Sequence, residues 1–173
     1  MSKYQTVWQE DFVKNASYRI EESLRMIRKS LDSLQENDIW LRPNEVSNSV
    51  GNQILHLCGN MTQYGIGSLG GHPDTRERDA EFSASETHTK SQLLEKLEKV
   101  VLQVKEEMEA CSIEELLRIR SIQGFKMSGL GVIIHIVEHL SYHTGQIAFW
   151  TKILKNKDLG FYDGIDLNTK NSE

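Results

Sequence analysis

Apolar residues recur along much of the chain with the spacing of α-helices. Between residues 4 and 34 they are separated alternately by four and three positions, which is typical of a helix with one face in the core. The stripe of this first helix consists of Ile20, Leu24, Ile27, Leu31 and Leu34. The same criterion predicts three further helices, over residues 49–65, 90–110 and 129–155.

The residues that precede the predicted helices are good N-caps, because their hydroxyl oxygens can accept a hydrogen bond from a free backbone N–H. These residues are Ser49, Thr89, Ser112 and Ser128. Gln92 and Glu115 stand three residues after Thr89 and Ser112, the spacing of a capping box. The box at Ser112 predicts a short additional helical segment.

The intervening segments lack apolar periodicity. Residues 36–48 are expected to form a loop, and a cluster of glycines between residues 65 and 71 predicts the end of the second helix. Residues 72–88 are polar and are expected to form a long surface loop. Residues 119–127 fit a short extended piece or a loop equally well, and the tail from residue 156 is predicted to be irregular.

Four long helices without a convincing alternating strand predict an all-α four-helix bundle, with residues 1–173 as a single domain. The connection of about 20 residues between the second and third helices is long for a simple hairpin of helices. We therefore expect it to be a crossover connection.

Composition and charge exclude several classes of protein. The 173 residues carry 20 Lys and Arg against 25 Asp and Glu, a formal net charge of -5. This balance argues against binding to nucleic acids or anionic membranes, since both require a dense basic face. No apolar run is long enough to span a bilayer, no secretory signal is visible, and two cysteines cannot form a disulfide framework. We expect a cytoplasmic protein.

Histidines are the most informative residues of the sequence. Two of the six lie in the polar loop, where exposure to solvent is expected, and four lie in predicted helices. His135, His139 and His143 occur at positions i, i+4 and i+8 of the most apolar helix. A buried imidazole needs a hydrogen-bonding partner, so three on one buried helix indicate that something binds them. The two loop residues are His72 and His88.

Helix geometry limits how these side chains can share an ion. Residues four apart lie about 6 Å apart along the axis, whereas residues eight apart are separated by about 12 Å. His135 and His143 therefore cannot ligate one metal, and the pair is either 135/139 or 139/143. A third ligand must come from another helix, where His56 is the remaining candidate. Taken alone, the polar strip that contains His56 and Asn60 is more typical of a solvent-facing surface.

Each of the two possible histidine pairs, 135/139 and 139/143, belongs to a recognisable sequence motif. His135-Ile-Val-Glu138-His139 matches the H-x-x-E-H string of inverted zinc peptidases, in which the glutamate is the general base. The other pair is followed by Thr144-Gly145-Gln146, where glycine allows close approach of a ligand and Gln146 is placed to serve as a polar partner.

The run from His139 to Ile147, His-Leu-Ser-Tyr-His-Thr-Gly-Gln-Ile, resembles the final-helix H-x-x-x-H-x-G-Q signature of the DinB/YfiT-like superfamily. The segment Ser47–Leu57 resembles the second-helix histidine motif of that superfamily. The order and separation of the two motifs agree with it, and the four predicted helices cover nearly the whole chain.

This resemblance implies a four-helix bundle with an unusual connection and a divalent metal, zinc or nickel, held by His56, His139 and His143. It also implies a small-molecule substrate, no nucleic-acid partner and a homodimer. Activities in the superfamily include metal-dependent reactions of low-molecular-weight thiols and proposed hydrolysis. His135 and Glu138 are then not ligands but neighbours of the site.

A three-histidine site leaves coordination positions for water or substrate, and either water or a thiol bound there would ionise near neutral pH. The leading hypothesis is a metal-dependent thiol S-transferase or hydrolase. The alternatives are a metal-stabilised bundle without catalysis and the H-x-x-E-H peptidase. Trp150 lies seven residues after His143 on the same face and is a candidate pocket wall, together with Asn60, His135, Glu138 and Gln146. Cys58 is expected to be a buried thiol that points away from the ion.

Overall fold

The structure, a computed structural model, describes the backbone of residues 3–171 and the side chains of residues 7–171. Its helices are α1 (Lys3–Ser33), α2 (Glu36–Ile39), α3 (Val50–Met61), α4 (Arg78–Ser83), α5 (Lys90–Ala110), α6 (Ile113–Leu117) and α7 (Gly129–Lys155). A π-helical segment, Thr62–Leu69, continues α3, and two short strands, β1 (Ile119–Ile122) and β2 (Phe125–Ser128), lie between α6 and α7.

The predicted N-caps are confirmed. In each case the hydroxyl oxygen accepts a hydrogen bond from the backbone N–H three residues later, which satisfies one of the free donors of the helix start. The four caps are Ser49, Thr89, Ser112 and Ser128. They fix the starts of α3, α5, α6 and α7 and hence the register of the side chains that follow.

The four long helices, α1, α3, α5 and α7, form an all-α bundle in which α1 packs against α5 and α7, and α3 packs against the same two helices. Helices α1 and α5 are antiparallel, since Gln9 donates to Cys111 O near one end and Arg28 pairs with Glu98 toward the other. Helices α3 and α7 are antiparallel as well.

The neighbouring helices α3 and α5 run in the same direction. Leu55 and Lys96 line one cavity, and further along Gly65 of the π-helical segment lies against Val104. Two parallel helices need a connection that returns along their length, which is the role of residues 70–89. The predicted crossover is thereby confirmed, and the helices run up, down, down and up.

The core is built from the apolar stripes that the sequence indicates. From α1 it takes Ile20, Ile27 and Leu31, each no more than 1% exposed. Burying aliphatic side chains of this size contributes about 1.5–3 kcal/mol each. The other helices add Ile54, Leu57, Leu93, Leu97, Ile133, Ile136 and Leu140. This packing holds the facing sides of α3 and α7 together.

Three predicted boundaries were wrong. Residues 36–39 form a short helix, since Asp38 accepts a hydrogen bond from the backbone N–H of Gln35 and closes a capping box. The second long helix does not end near residue 65 but continues as the π-helical segment. The polar segment 72–88 is not only a surface loop, because it contains α4 and buries Glu81, which is 8% exposed.

Residues 119–128 form an antiparallel hairpin of two strands, which resolves the open alternative for this region. The turn consists of Gln123 and Gly124, both with positive φ values of 51° and 84°. Positive φ at both positions is the geometry of a type I′ turn. Tyr64 of the π-helical segment donates a hydrogen bond to Gln123 Oε1 at 3.1 Å, so the hairpin is tied to the bundle.

Of the helices that the structure describes, none combines the length and the apolar character needed to cross a membrane.

Candidate metal centre

Helix α7 presents His139 and His143 on successive turns of one face. Its Ser128 cap sets the register, and Ile136, Leu140 and Ile147 bury the same side of the helix in the core. The two imidazole rings have centroids 4.6 Å apart, as expected for residues four apart. The helix alone therefore supplies two nitrogen ligands that can point to one place.

Helix α3 brings His56 to these two rings. Its side chain is buried, with the residue 6% exposed, so the surface-facing interpretation of this histidine is wrong. The ring centroid of His56 lies 4.9 Å from that of His139 and 5.0 Å from that of His143. The structure thus brings together the three histidines that the sequence motifs predict.

The distances between nitrogens suit a common cation. His56 Nε2 and His139 Nε2 are 3.2 Å apart, and one ligand atom from each of the three histidines lies within 4.8 Å of the others. Two nitrogens that bind one tetrahedral zinc at 2.0–2.1 Å are about 3.3–3.4 Å apart. The cluster therefore fits a divalent metal ion.

Two buried nitrogen atoms of the cluster give a second test of this fit. Nδ1 of His139 and Nδ1 of His143 have no hydrogen-bond partner among the residues that the structure describes. An unpaired buried polar atom costs free energy, and a ligand or an ordered water is the usual explanation in native proteins. Unpaired nitrogens on two of the three imidazole rings are consistent with a site built to hold something.

Burial keeps the α7 pair in the neutral form. Burial, followed by the neighbouring His143 and His56, lowers the pKa of His139 from 6.5 to about 3. Burial, followed by the nearby His56, lowers the pKa of His143 to about 4. Both rings are therefore uncharged at pH 7, and a neutral imidazole is the form that binds metals.

A carboxylate from the crossover orients His56. Glu81 Oε2 lies 2.9 Å from His56 Nδ1, and Arg76 contacts both oxygens of this carboxylate at 2.7 and 2.9 Å. Burial alone would raise the pKa of Glu81, but the hydrogen bonds from Arg76 and His56 bring it below its usual value. Because an ionised carboxylate only accepts, His56 Nδ1–H donates to it and Nε2 keeps its lone pair for a cation.

The close approach of Glu81 depends on a glycine. A Cβ atom at Gly59 would overlap Glu81 Oε1 and would also crowd Arg76 Nε. Only the absence of a side chain on this face of α3 lets the crossover lie against the helix at the level of His56.

His135 does not join the cluster. Its Nε2 atom lies 3.2 Å from Asn60 Nδ2, and its ring stacks on Tyr64 with centroids 4.1 Å apart. Burial lowers the pKa of His135 as well. Glu138 lies on the exposed side of α7. This geometry favours the 139/143 pair over the 135/139 pair of the peptidase motif.

The remaining predicted pocket residues lie on the other side of the cluster. Gln146 lies one turn after His143 on α7, and it lines a cavity together with Trp150. Trp150 Nε1 donates to Leu41 O at 3.2 Å, which holds the indole ring in place. Asn60, on the His135 side, has an Oδ1 atom without a partner among the described residues.

The other histidines and the cysteines lie apart from this site. His72 is exposed and pairs with Glu107 of α5, and His88 is half-buried next to Thr87. Cys58 is buried, as predicted, and burial raises its pKa to about 12, so its thiol is protonated at neutral pH.

Sequence reasoning missed Glu81, Arg76 and Gly59. A histidine ligand usually donates its second nitrogen to an acceptor, so an acidic partner for His56 was to be expected in general terms. The crossover holds several acidic residues without any periodic pattern to distinguish one. They are Asp74, Glu77, Asp79, Glu81 and Glu86.

Three solved structures share this fold. A DinB-like protein from Bacillus cereus ATCC 10987 is 16% identical with a TM-score of 0.67, over 84% of this chain and 91% of that one. A DinB-like protein from Bacillus subtilis is 16% identical with a TM-score of 0.65, over 86% and 97%. A conserved protein from Enterococcus faecalis is 12% identical with a TM-score of 0.66, over 83% and 97%.

A search of curated proteins finds no match to the chain. A family model described as "Protein of unknown function (DUF1572)" matches residues 8–162, which include all four long bundle helices apart from the first residues of α1. By this match the chain belongs to the DUF1572 family, and it has the fold of the DinB-like proteins.

Proposed function

We propose that this protein binds a divalent metal ion, zinc or nickel, through His56, His139 and His143 and uses it to activate a small-molecule substrate. The observation that carries the proposal is the convergence of three imidazoles from two helices, with ligand atoms within 4.8 Å of one another. Three protein ligands leave at least one coordination position for a substrate, unlike the four of a closed structural site.

The residues around the cluster have distinct roles in this proposal. His139 and His143 bind as neutral rings because burial keeps them unprotonated. Glu81 fixes the orientation and tautomer of His56, and Arg76 holds Glu81 in its ionised form. Since Glu81 is already engaged by both partners, it is not a free general base.

The expected chemistry is one that needs no separate protein base. A divalent ion in this site supplies Lewis acidity, which ionises a bound thiol or water near neutral pH. Thiol S-transfer and hydrolysis both meet this requirement. The hydrogen-bonding groups next to the cluster, Asn60 and His135 on one side and Gln146 on the other, are placed to orient the substrate.

The first test of the proposal is metal content. Protein purified without a histidine tag is expected to contain about one divalent ion per chain by inductively coupled plasma mass spectrometry. His139→Ala removes a ligand and should abolish this content, whereas the matched change His72→Ala, at an exposed histidine outside the cluster, should leave it unchanged. Equal metal content in the two variants would contradict the proposal.

A metal-stabilised bundle without catalysis is the second candidate function. It is favoured by the position of the cluster, which joins α3, α7 and the crossover at one point. Metal-loaded protein that shows no thiol-transfer or hydrolytic activity over a broad substrate panel, yet unfolds at a lower temperature after chelation, would support this alternative.

A further inference from the structure

A cavity of about 510 Å³ lies beside the histidine cluster, between α7 and the segment of residues 43–48. Gln53 lines it three residues before His56, and Gln146 lines it three residues after His143. Because α3 and α7 are antiparallel, Gln53 and Gln146 are displaced from His56 and His143 in the same direction along the bundle. Two of its lining residues therefore lie about one helical turn, or about 5 Å along the helix axis, from histidines of the cluster.

The walls of this cavity are apolar and aromatic with uncharged polar groups. Val46, Phe149 and Ile153 line it and expose 92%, 67% and 53% of their surfaces. Among the described residues that line it, none is ionisable. The cavity between α3 and α5 differs in this respect, since charged residues such as Lys96 and Glu77 line it.

Two lining residues indicate that the cavity is prepared for a ligand. Trp150 is fixed by its hydrogen bond to Leu41 O, so this aromatic wall exists before any ligand binds. Gln53 is 6% exposed, and its Oε1 atom has no partner among the described residues. Rotation of the terminal amide can turn either its oxygen or its NH2 group toward a ligand.

We propose that this cavity takes the uncharged body of the substrate whose reactive group lies at the metal; the assignment rests on the proposed function. The chemical class is a flat apolar or aromatic group attached through an amide or another N–H donor that pairs with Gln53. An anionic body is disfavoured, because its charge would lose water without meeting a cation in the lining.

Hydroxamates test this assignment without measuring catalysis, because the same metal-chelating head can carry different bodies. Acetohydroxamate has the head alone, N-benzoylglycine hydroxamate adds an amide-linked phenyl ring, and succinic acid monohydroxamate adds a carboxylate. Calorimetric titration of the zinc-loaded full chain should show the benzoyl compound binding about tenfold tighter than acetohydroxamate. The carboxylate compound should show no such gain.

A negative charge introduced at the edge of the cavity tests whether the cavity binds the uncharged body of the ligand. Val46→Glu changes a side chain that is 92% exposed, so folding should be preserved. It should cancel most of the tenfold gain of the benzoyl compound and change acetohydroxamate binding less than twofold. The matched control is Ile165→Glu, at a residue that is 62% exposed and outside the cavity, and it should preserve the gain.

The role of Gln53 is tested with a second pair of compounds. Replacing the amide N–H of the benzoyl compound by an ester oxygen should weaken binding to the unaltered protein about tenfold. In Gln53→Leu the amide and ester compounds should bind equally. A difference that persists in the variant would show that Gln53 does not receive the N–H.

Two outcomes would overturn the cavity assignment while leaving the metal site intact. One is equal affinity of acetohydroxamate and the benzoyl compound for the zinc-loaded protein. The other is a change in the molar mass of the Val46→Glu variant by light scattering, since this would identify the surface as an interface between copies of the chain. A protein that binds no zinc in the absence of hydroxamate fails the proposed function itself.

Discussion

At the scale of single residues, the contacts of His56 explain how a helix side chain is held in the orientation that the proposed metal site requires. The ring is fixed at Nδ1 by Glu81, which is fixed in turn by Arg76, whose side chain is 3% exposed. Partners of this kind commonly change metal affinity 10–100-fold. Their contribution is separable from that of the ligands, because none of them contacts the ion.

Glu81→Gln is expected to weaken metal binding by about 10–100-fold without abolishing it, because the amide keeps the size of the side chain but loses its charge. Zinc affinity can be measured by competition with a chromophoric chelator. The matched control is Glu95→Gln on the exposed side of α5, which should not change affinity.

The variant also leaves the Arg76 guanidinium buried without a full counter-charge, so the melting temperature of the metal-free protein should fall. A lower melting temperature with unchanged zinc affinity would mean that Glu81 serves only the fold.

The sequence predicted that these three histidines converge, because each belongs to a helix with a clear apolar stripe and a recognisable motif. It did not predict Glu81, since the register of an irregular segment depends on contacts with distant residues. His56 and Glu81 are 25 positions apart, and no periodicity relates them. Taken alone, the strip of α3 that contains His56 indicated a solvent-facing side chain, because the crossover that covers it cannot be placed from the sequence of α3.

At the scale of secondary-structure elements, two glycines in helices have opposite surroundings. A Cβ atom at Gly59 would overlap the Glu81 carboxylate, whereas a Cβ atom at Gly145 would meet nothing within 4 Å. Glycine in a helix interior costs about 1 kcal/mol relative to alanine. The chain bears that cost at Gly59 in order to dock the crossover.

The two Gly→Ala variants form a matched pair. Gly145→Ala should raise the melting temperature by about 2–4 °C through improved helix propensity and should leave zinc affinity unchanged. Gly59→Ala should lower zinc affinity, because the carboxylate is displaced from His56 Nδ1. Both quantities are available from thermal unfolding and chelator competition. A Gly59→Ala variant that binds zinc normally would contradict the close-contact argument.

The elements that were predicted correctly are those defined by local signals. Hydroxyl caps fixed the starts of α3, α5, α6 and α7. The π-helical segment was not predicted, because the glycines that suggest a turn there instead allow close packing, as at Gly65 against Val104. The short helix α2 escaped notice because four residues are too few to show a period.

At the scale of the whole molecule, the cluster joins segments that are far apart in sequence. His56 and His139 are separated by 83 positions, and Glu81 enters from the crossover between them. In the proposed metal site, a bound ion would hold α3, α7 and residues 76–81 together. Ligands that bind only the folded state stabilise it by about 4 kcal/mol at a concentration 1,000 times the dissociation constant.

Chelation of the metal should lower the melting temperature by roughly 10 °C, from the same linkage and the usual sensitivity of a domain of this size. Hydrogen exchange should accelerate most in α3 and α4, and less in α1 and α5, which contribute none of the three histidines. Uniform acceleration over all helices would contradict a local clamp.

The crossover was predicted from the length of the connection between the second and third long helices. A short loop can join only antiparallel neighbours, whereas about 20 residues can return along a helix. What the length could not predict is that this returning segment folds onto the histidines, since its own sequence is polar and irregular.

The entry of Glu81 from a connecting segment has a consequence for divergence within the family. Where the proposed metal site is kept, sequence changes in the crossover would alter how tightly a homologue binds the ion while all three histidines stay in place. A comparison of relatives by the histidine motif alone would then treat two proteins as equivalent even though they differ widely in metal occupancy. Residues 76–81, read together with position 59, form the part of an alignment in which such differences should be sought.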